Sequence, residues 1–478
     1  MSDYDLVIVG AGSGNMIADH RFDDWRIAIV DAGPFGGTCL NRGCIPSKMY
    51  AHTGEVAATA ADGPRLGVRT SYDGADWPAI RDRIMGRIDE NAAGGRDGQA
   101  KRDNIDVVVG EARFTGPRTL TVDLEAGGER TLTADRVVLA TGSRPVVPPI
   151  DGLEELGGAD HGCVHTSDSI MRLDALPQRM AVVGGGYVGS EFADVFHSLG
   201  VEVLQVESAE RLLSTQDREV ADLFTASAAE RWDVRLGTQL TRVEAAGDGA
   251  GGDGLRLHLD DGSTETVGVL LLATGRRPNS DRLDLDGTGI DVDDAGRIVV
   301  DAHQRATADG VWALGDASSP FPLKHVANHE ARVVQHNLLH PDAPVETDHR
   351  FVPQAVFASP QVAAAGLTEE QAREEVADLV VGRAEYGATA HGWALEEDDR
   401  HGEATGHVVK LLADRATGLL VGAHLIGPQA SVLIQPLLQA MALGTPVAGL
   451  ARAQYWIHPA LTEVLEGALL DLDEQLAG

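Results

Sequence analysis

The chain has 478 residues, 43% of them hydrophobic, enough for several domains with packed cores and too apolar for wholesale disorder. Its formal net charge of -34, from 39 basic and 73 acidic residues, disfavours nucleic acid and anionic membranes as partners. The basic residues are almost all Arg, and the acidic excess reads as a solvated surface or as adaptation to a salty cytoplasm.

The acidic start Met1-Ser2-Asp3-Tyr4-Asp5 leads directly into an apolar strand, so no leader peptide and a cytoplasmic protein are expected. That strand, Tyr4 to Val9, runs into the turn Gly10-Ala11-Gly12-Ser13-Gly14-Asn15. A short helix and a second strand, Arg26 to Val30, follow, the strand ending at Asp31. This is a dinucleotide-binding pattern. The glycines admit a pyrophosphate, the helix N-terminus supplies positive potential, and the acid accepts from ribose hydroxyls. Asn15 stands where a third glycine is expected.

Next comes Gly36-Gly37-Thr38-Cys39-Leu40-Asn41-Arg42-Gly43-Cys44-Ile45-Pro46-Ser47-Lys48. Two of the chain's three cysteines lie here, shortly after a nucleotide-binding unit. They suggest a disulfide that opens and closes beside a bound redox cofactor. A helix starting near Ile45 would lower a thiol pKa. The alternative, a zinc half-site, lacks a second Cys or His pair at metal spacing. Cys163 is isolated and reads as structural.

A second unit repeats the first. Met180 to Val183 is a strand, Gly184-Gly185-Gly186-Tyr187-Val188-Gly189 the turn, Ser190 to Leu199 a helix, and Val201 to Val206 a strand ending at Glu207. An acid at that position favours a ribose 2′-hydroxyl and repels a 2′-phosphate, so NADH is expected over NADPH. Each unit has a later companion strand running into a Thr-Gly turn, at Thr141-Gly142 and at Thr274-Gly275-Arg276. The low-complexity stretch from Gly247 to Gly254 reads as a hairpin tip.

After about residue 345 the pattern changes. Gln354 to Phe357, His407 to Leu412 and Leu419 to Ile426 read as strands of an antiparallel sheet, and Ala430 to Leu443 and Pro459 to Leu470 as helices. The apolar stretch Leu419 to Leu443 carries Gly427-Pro428, His424 and Pro436 and is no membrane span. The fold class is therefore α/β, two Rossmann-like units plus a C-terminal α+β domain. In Gln454-Tyr455-Trp456-Ile457-His458-Pro459-Ala460-Leu461-Thr462-Glu463, a histidine and a carboxylate are set to handle a proton. Two nucleotide sites and one dithiol imply a relay from nicotinamide through flavin to disulfide.

Together the two glycine-rich units, Cys39-x4-Cys44, Gly315-Asp316 and His458-Pro459-x3-Glu463 resemble the pyridine nucleotide-disulfide oxidoreductase family over nearly the whole chain. The resemblance implies an FAD domain from residues 1–155 and 276–345, an NAD(P) domain at 156–275 and a dimerisation domain at 346–478. It implies FAD contacts from Gly10, Gly12, Ser13, Gly14, Gly37, Thr38, Thr141 and Gly142, with Asp31 on the ribose and Asp316 on the ribityl-pyrophosphate region. It implies nicotinamide-nucleotide contacts from Gly184, Gly186, Gly189, Glu207, Gly275 and Arg276, with Tyr187 over the flavin. Cys39 would attack the substrate, and Cys44 would be the thiolate beside the flavin. Lys48 would pair with Glu191 near the flavin. His458, oriented by Glu463, would be the acid-base and would reach the cysteines of the other subunit, so a homodimer is implied. Within the family, Cys44-Ile45-Pro46-Ser47-Lys48-Met49-Tyr50, the run Leu323 to Arg332 and Gln454 to Pro459 resemble the branch that acts on mycothione. The strand Val203-Leu204-Gln205-Val206-Glu207 reads like the NAD-dependent dihydrolipoamide branch, which is the alternative. A non-catalytic flavin redox sensor would not need the His-Glu pair.

Overall fold

The computed structural model describes residues 2–247, 254–397 and 406–477. Strand Tyr4–Val9 lies between Ile27–Asp31 and Glu129–Leu139, parallel to both. Leu6, Ile8, Ile27 and Ile29 fill the core on one face of this sheet, and Val7, Val9, Ala28 and Val30 that on the other. Burial on both faces is why these strands are continuous apolar runs rather than alternating ones. Val311–Ala313 adds to the far side of Glu129–Leu139, so a segment from beyond residue 300 completes a sheet begun at residue 4.

The second unit is built on Arg179–Val183, parallel to Glu202–Val206 and Val269–Leu272. Its turn opens a helix, Tyr187–Ser198. Against that helix packs the long helix Cys44–Asp62, through a core of Tyr50, Trp77, Phe192 and Phe196. Tyr50 stacks on Trp77 at 5.2 Å, and its hydroxyl donates to Met171 O at 2.7 Å. A buried aromatic whose polar tip is satisfied fixes the helix that carries the cysteines. The expected hairpin tip is flanked by antiparallel strands that pair Ala245 with Leu255, and its residues 248–253 lie outside the described residues.

The C-terminal region is a five-stranded antiparallel sheet. Helix Glu463–Ala477 covers one face, packing Leu465, Ala468, Leu469 and Leu472 on Leu411, Ala423 and Leu425. Each such fully buried leucine contributes about 1.5–3 kcal/mol. A Cβ at Gly382 would sit 2.6 Å from Leu472 Cβ, so only glycine lets this helix approach the strand. Buried Lys410 ties this region to the second unit, donating to Asp217 at 2.8 Å and pairing with Glu369 at 2.7 Å.

Three expected elements differ. The helix expected at Ala430 to Leu443 is two, Ala430–Leu433 and Gln435–Leu443, because Pro436 has no N–H for the ladder and starts a new helix instead. The helix expected from Pro459 begins at Glu463, leaving Pro459 to Thr462 as the turn that presents His458. The short helix expected after Gly14 is reduced to two 3₁₀ turns, Ser13–Met16 and His20–Phe22. Asp19 caps the second of these by accepting from Arg21 N at 2.9 Å, which competes with helix continuation. Among the described residues no helix is long and apolar enough to cross a membrane.

Candidate active site

Cys39 lies in the short helix Gly37–Arg42, and Cys44 is the first residue of the next helix. Gly37 has φ +68°, and a Cβ there would meet Gly12 Cα at 2.7 Å, so the cysteine segment rests directly on the first glycine-rich turn. Both thiols line a cavity of about 490 Å³, and both are free. Cys39 donates a hydrogen bond to Cys44. That bond, with the Lys48 and Lys324 charges, brings the Cys44 thiol down to about 7 against the opposing effect of burial. The same bond, burial and the neighbouring sulfur's charge push the Cys39 thiol far up. The pair is thus divided into a thiolate and a thiol that needs a base.

Trapping Cys44 with iodoacetamide in the reduced protein should therefore speed up as pH rises, with its midpoint near about 7. A midpoint at the ordinary thiol value, read by mass spectrometry, would refute the division.

One turn beyond Cys44, Lys48 donates to Glu191 at 2.6 Å, and its ammonium lies 4.9 Å from the Phe357 ring centre. Glu191 is buried and also accepts from Phe357 N at 2.9 Å. This one carboxylate joins the cysteine helix, the second unit's helix and the C-terminal region.

The same cavity is lined by Gly10, Gly12, Ser13, Asp31, Gly37 and Thr38, and on its other walls by Lys48, Thr141, Gly142 and Asp316. Asp31 accepts from Ala11 N at 2.5 Å and Gly33 N at 2.8 Å, while burial pushes its carboxyl up. Two lining atoms, Thr141 Oγ1 and Asp168 Oδ1, are buried without a protein partner. Backbone laid bare by glycine, a ribose-height acid and orphaned polar atoms fit a dinucleotide such as FAD.

A second cavity, about 500 Å³, adjoins the first and is lined by Gly184, Gly186, Tyr187, Glu207, Gly275 and Arg276. Glu207 repeats the Asp31 geometry, accepting from Gly185 N at 2.5 Å and Ala209 N at 2.7 Å. Tyr187 and Arg276 line both cavities. Arg276 donates to Ser143 Oγ at 2.8 Å, and Ser143 donates in turn to Asp316. A polar chain therefore runs along the boundary between the two cavities.

Gly14 and Gly189, expected among the cofactor contacts, line neither cavity. A Cβ at Gly189 would lie 2.2 Å from Gly184 O, and one at Gly14 2.7 Å from Ala140 Cβ. These two glycines serve the close packing of the turn. The structure also shows residues the sequence did not single out: Ser143, Arg42 paired with Asp168 at 3.2 Å, and Lys324. Only Lys324 carried a signal, as one of four lysines in the chain.

His458 Nδ1 lies 2.8 Å from Glu463 Oε1, and this contact holds the Glu463 carboxyl below its ordinary range. The histidine side chain is 71% exposed and does not line the cysteine cavity of its own chain. Beside it Tyr455 and Ile457 are exposed, an apolar surface suited to association.

Residues 4–331 match the family model described as pyridine nucleotide-disulphide oxidoreductase, and residues 352–469 match that family's dimerisation domain. The chain is 47% identical over 480 residues to mycothione reductase of Mycobacterium tuberculosis (strain ATCC 25618 / H37Rv), covering 99% of this chain and 100% of that one. It is 34% identical to dihydrolipoyl dehydrogenase of Synechocystis sp., covering 98% of each. Among solved structures it is similar to the HOCl-induced flavoprotein disulfide reductase RclA from Escherichia coli, with TM-score 0.82, 28% identity and coverage of 98% and 99%.

Proposed function

We propose, from the premise that this chain belongs to the pyridine nucleotide-disulphide oxidoreductase family, that it reduces mycothione to two mycothiol with NADH, as a cytoplasmic homodimer. The observation that carries the substrate is full-length identity of 47% to a mycothione reductase, against 34% to a dihydrolipoyl dehydrogenase. Residues 1–155 and 276–345 would hold FAD, 156–275 the nicotinamide nucleotide, and 346–478 would form the dimer.

FAD, when bound in the first cavity, supplies the route by which nicotinamide electrons reach the Cys39–Cys44 disulfide. The chain's own residues do the rest. Lys48, held by Glu191, keeps a positive charge beside Cys44 and sustains its thiolate. His458 of the partner subunit takes the proton from Cys39. The Cys39 thiolate attacks one mycothione sulfur, forming a mixed disulfide and expelling one mycothiol thiolate, which the imidazolium protonates. The Cys44 thiolate then attacks Cys39 sulfur, re-forming the intrachain disulfide. The second mycothiol leaves as a thiolate and takes up a proton through the same imidazole. Two electrons and two protons are consumed per mycothione. Glu463 fixes the tautomer of His458 and stabilises its protonated form.

The test is turnover of mycothione, lipoamide and glutathione disulfide, each with NADH and NADPH. Preference for mycothione supports the reading, and preference for lipoamide would replace it with dihydrolipoamide dehydrogenase. For the nucleotide, Glu207 lines the second cavity, whereas Arg211 and Arg235 do not line it and are paired with Asp222 and Asp233. A 2′-phosphate beside Glu207 would meet that carboxylate. Glu207→Ala should accordingly raise KM for NADH about tenfold while leaving NADPH little changed. Greater loss with NADPH would reverse the assignment.

A further inference from the structure

The first glycine-rich turn opens no proper helix. Ser13–Met16 is a four-residue 3₁₀ turn, whereas the second unit opens the twelve-residue helix Tyr187–Ser198. So short a segment has few aligned peptide dipoles, and the positive potential that normally meets a diphosphate at this turn is weakened.

Another helix has moved in on the shortened segment. Lys324–Leu339 presents Lys324, Asn328, Ala331 and Gln335, spacings that fall on one stripe at 3.6 residues per turn. Gln335 donates to Ile17 O at 2.9 Å and Met16 O at 3.1 Å, satisfying carbonyls that a continuing helix would have satisfied itself. Asn328 accepts from Ser13 Oγ at 3.0 Å. Lys324 donates to the same Ser13 oxygen at 2.9 Å, from the wall of the first cavity.

Among the described residues, Lys324 and Arg276 are the cations of this cavity without a carboxylate partner. Arg42, Lys48 and Arg144 face Asp168, Glu191 and Asp281 at 3.2, 2.6 and 2.6 Å. Arg276 is held by Ser143. Among the described residues, Lys324 has no carboxylate within ion-pair distance, and Ser13 is its hydrogen-bond partner. It is also one of only four lysines in a chain whose other basic residues are arginine. A cation on the first turn of a helix opposes that helix's own dipole, so its place there costs stability unless an anion meets it.

We propose that the Lys324 ammonium binds the diphosphate of the flavin dinucleotide, replacing the helix N-terminus that the first unit lacks. This rests on the reading of the first cavity as the FAD site. Ser13 steers the ammonium toward the turn, and Asn328 fixes Ser13. The compact point charge of lysine suits a diphosphate reached through a narrow turn.

The experiment measures the dissociation constants of FAD and of riboflavin, which has no diphosphate, by flavin fluorescence. The full-length protein, Lys324→Met and Lys324→Arg are compared at low and high salt. Lys324→Met should weaken FAD about tenfold or more, leave riboflavin unchanged and flatten the salt dependence of FAD binding. Lys324→Arg should retain most of the FAD affinity. Equal weakening of both flavins, or unchanged FAD affinity, overturns the proposal while leaving the FAD site itself standing. Failure of the unaltered protein to bind FAD would sink both.

Discussion

Serine in place of Cys39 is expected to abolish mycothione turnover, by about a thousandfold or more, while reduction of bound flavin by NADH proceeds at the unaltered rate. A serine hydroxyl occupies the same place in the helix Gly37–Arg42 and still donates toward Cys44, so the fold and the Cys44 thiolate are kept. It is a poor nucleophile toward a disulfide, so the mixed disulfide does not form. Stopped-flow absorbance separates the two half-reactions, and substantial turnover by the variant would refute the dithiol route. Serine in place of Cys44 should also stop steady turnover, but one mycothiol would remain on Cys39 as a mixed disulfide, visible by mass, while the other is released.

Glutamine in place of His458 should slow the disulfide half-reaction about a hundredfold to ten-thousandfold and leave flavin reduction nearly untouched. Glutamine keeps a polar side chain near Glu463 but does not carry a proton in this pH range. Equal slowing of both halves would contradict the acid-base role. The placement of the residue is tested separately. His458 does not line the cavity of its own chain, so the site is expected to combine two chains. Mixed dimers of a Cys39→Ser chain and a His458→Gln chain would then contain one intact site in two. Co-expression should restore about a quarter of the activity, whereas histidines acting within their own chains would restore none.

The elements that position these residues differ in how readily the sequence shows them. Tyr4–Val9 and Arg179–Val183 are apolar runs ending in glycine turns, and local pattern suffices to place them. The Cys39, Cys44 and His458 segments are legible because their residue types are rare and their spacing is tied to chemistry. The truncated helix after Gly14 is not legible in this way. Its backbone is satisfied by Gln335, more than 300 residues away, and no local rule reports such a partner. Val311–Ala313 joins the first sheet for the same nonlocal reason. Gly14 and Gly189 look identical to cofactor-facing glycines in sequence, and only their absence from the walls of both cavities separates packing from cradle. Lys324 is legible in the sequence as a rare residue type within the run Leu323 to Arg332, but its contact with Ser13 is nonlocal.

The scarcity of lysine also gives the molecule a simple chemical footprint. Lys101 lies open at the surface, whereas Lys410 is shielded beneath Asp217 and Glu369. The other two, Lys48 and Lys324, stand on the wall of the first cavity. An amine-reactive label read peptide by peptide thus has a constant reference at Lys101, a silent position at Lys410 and two reporters whose protection tracks what fills that cavity.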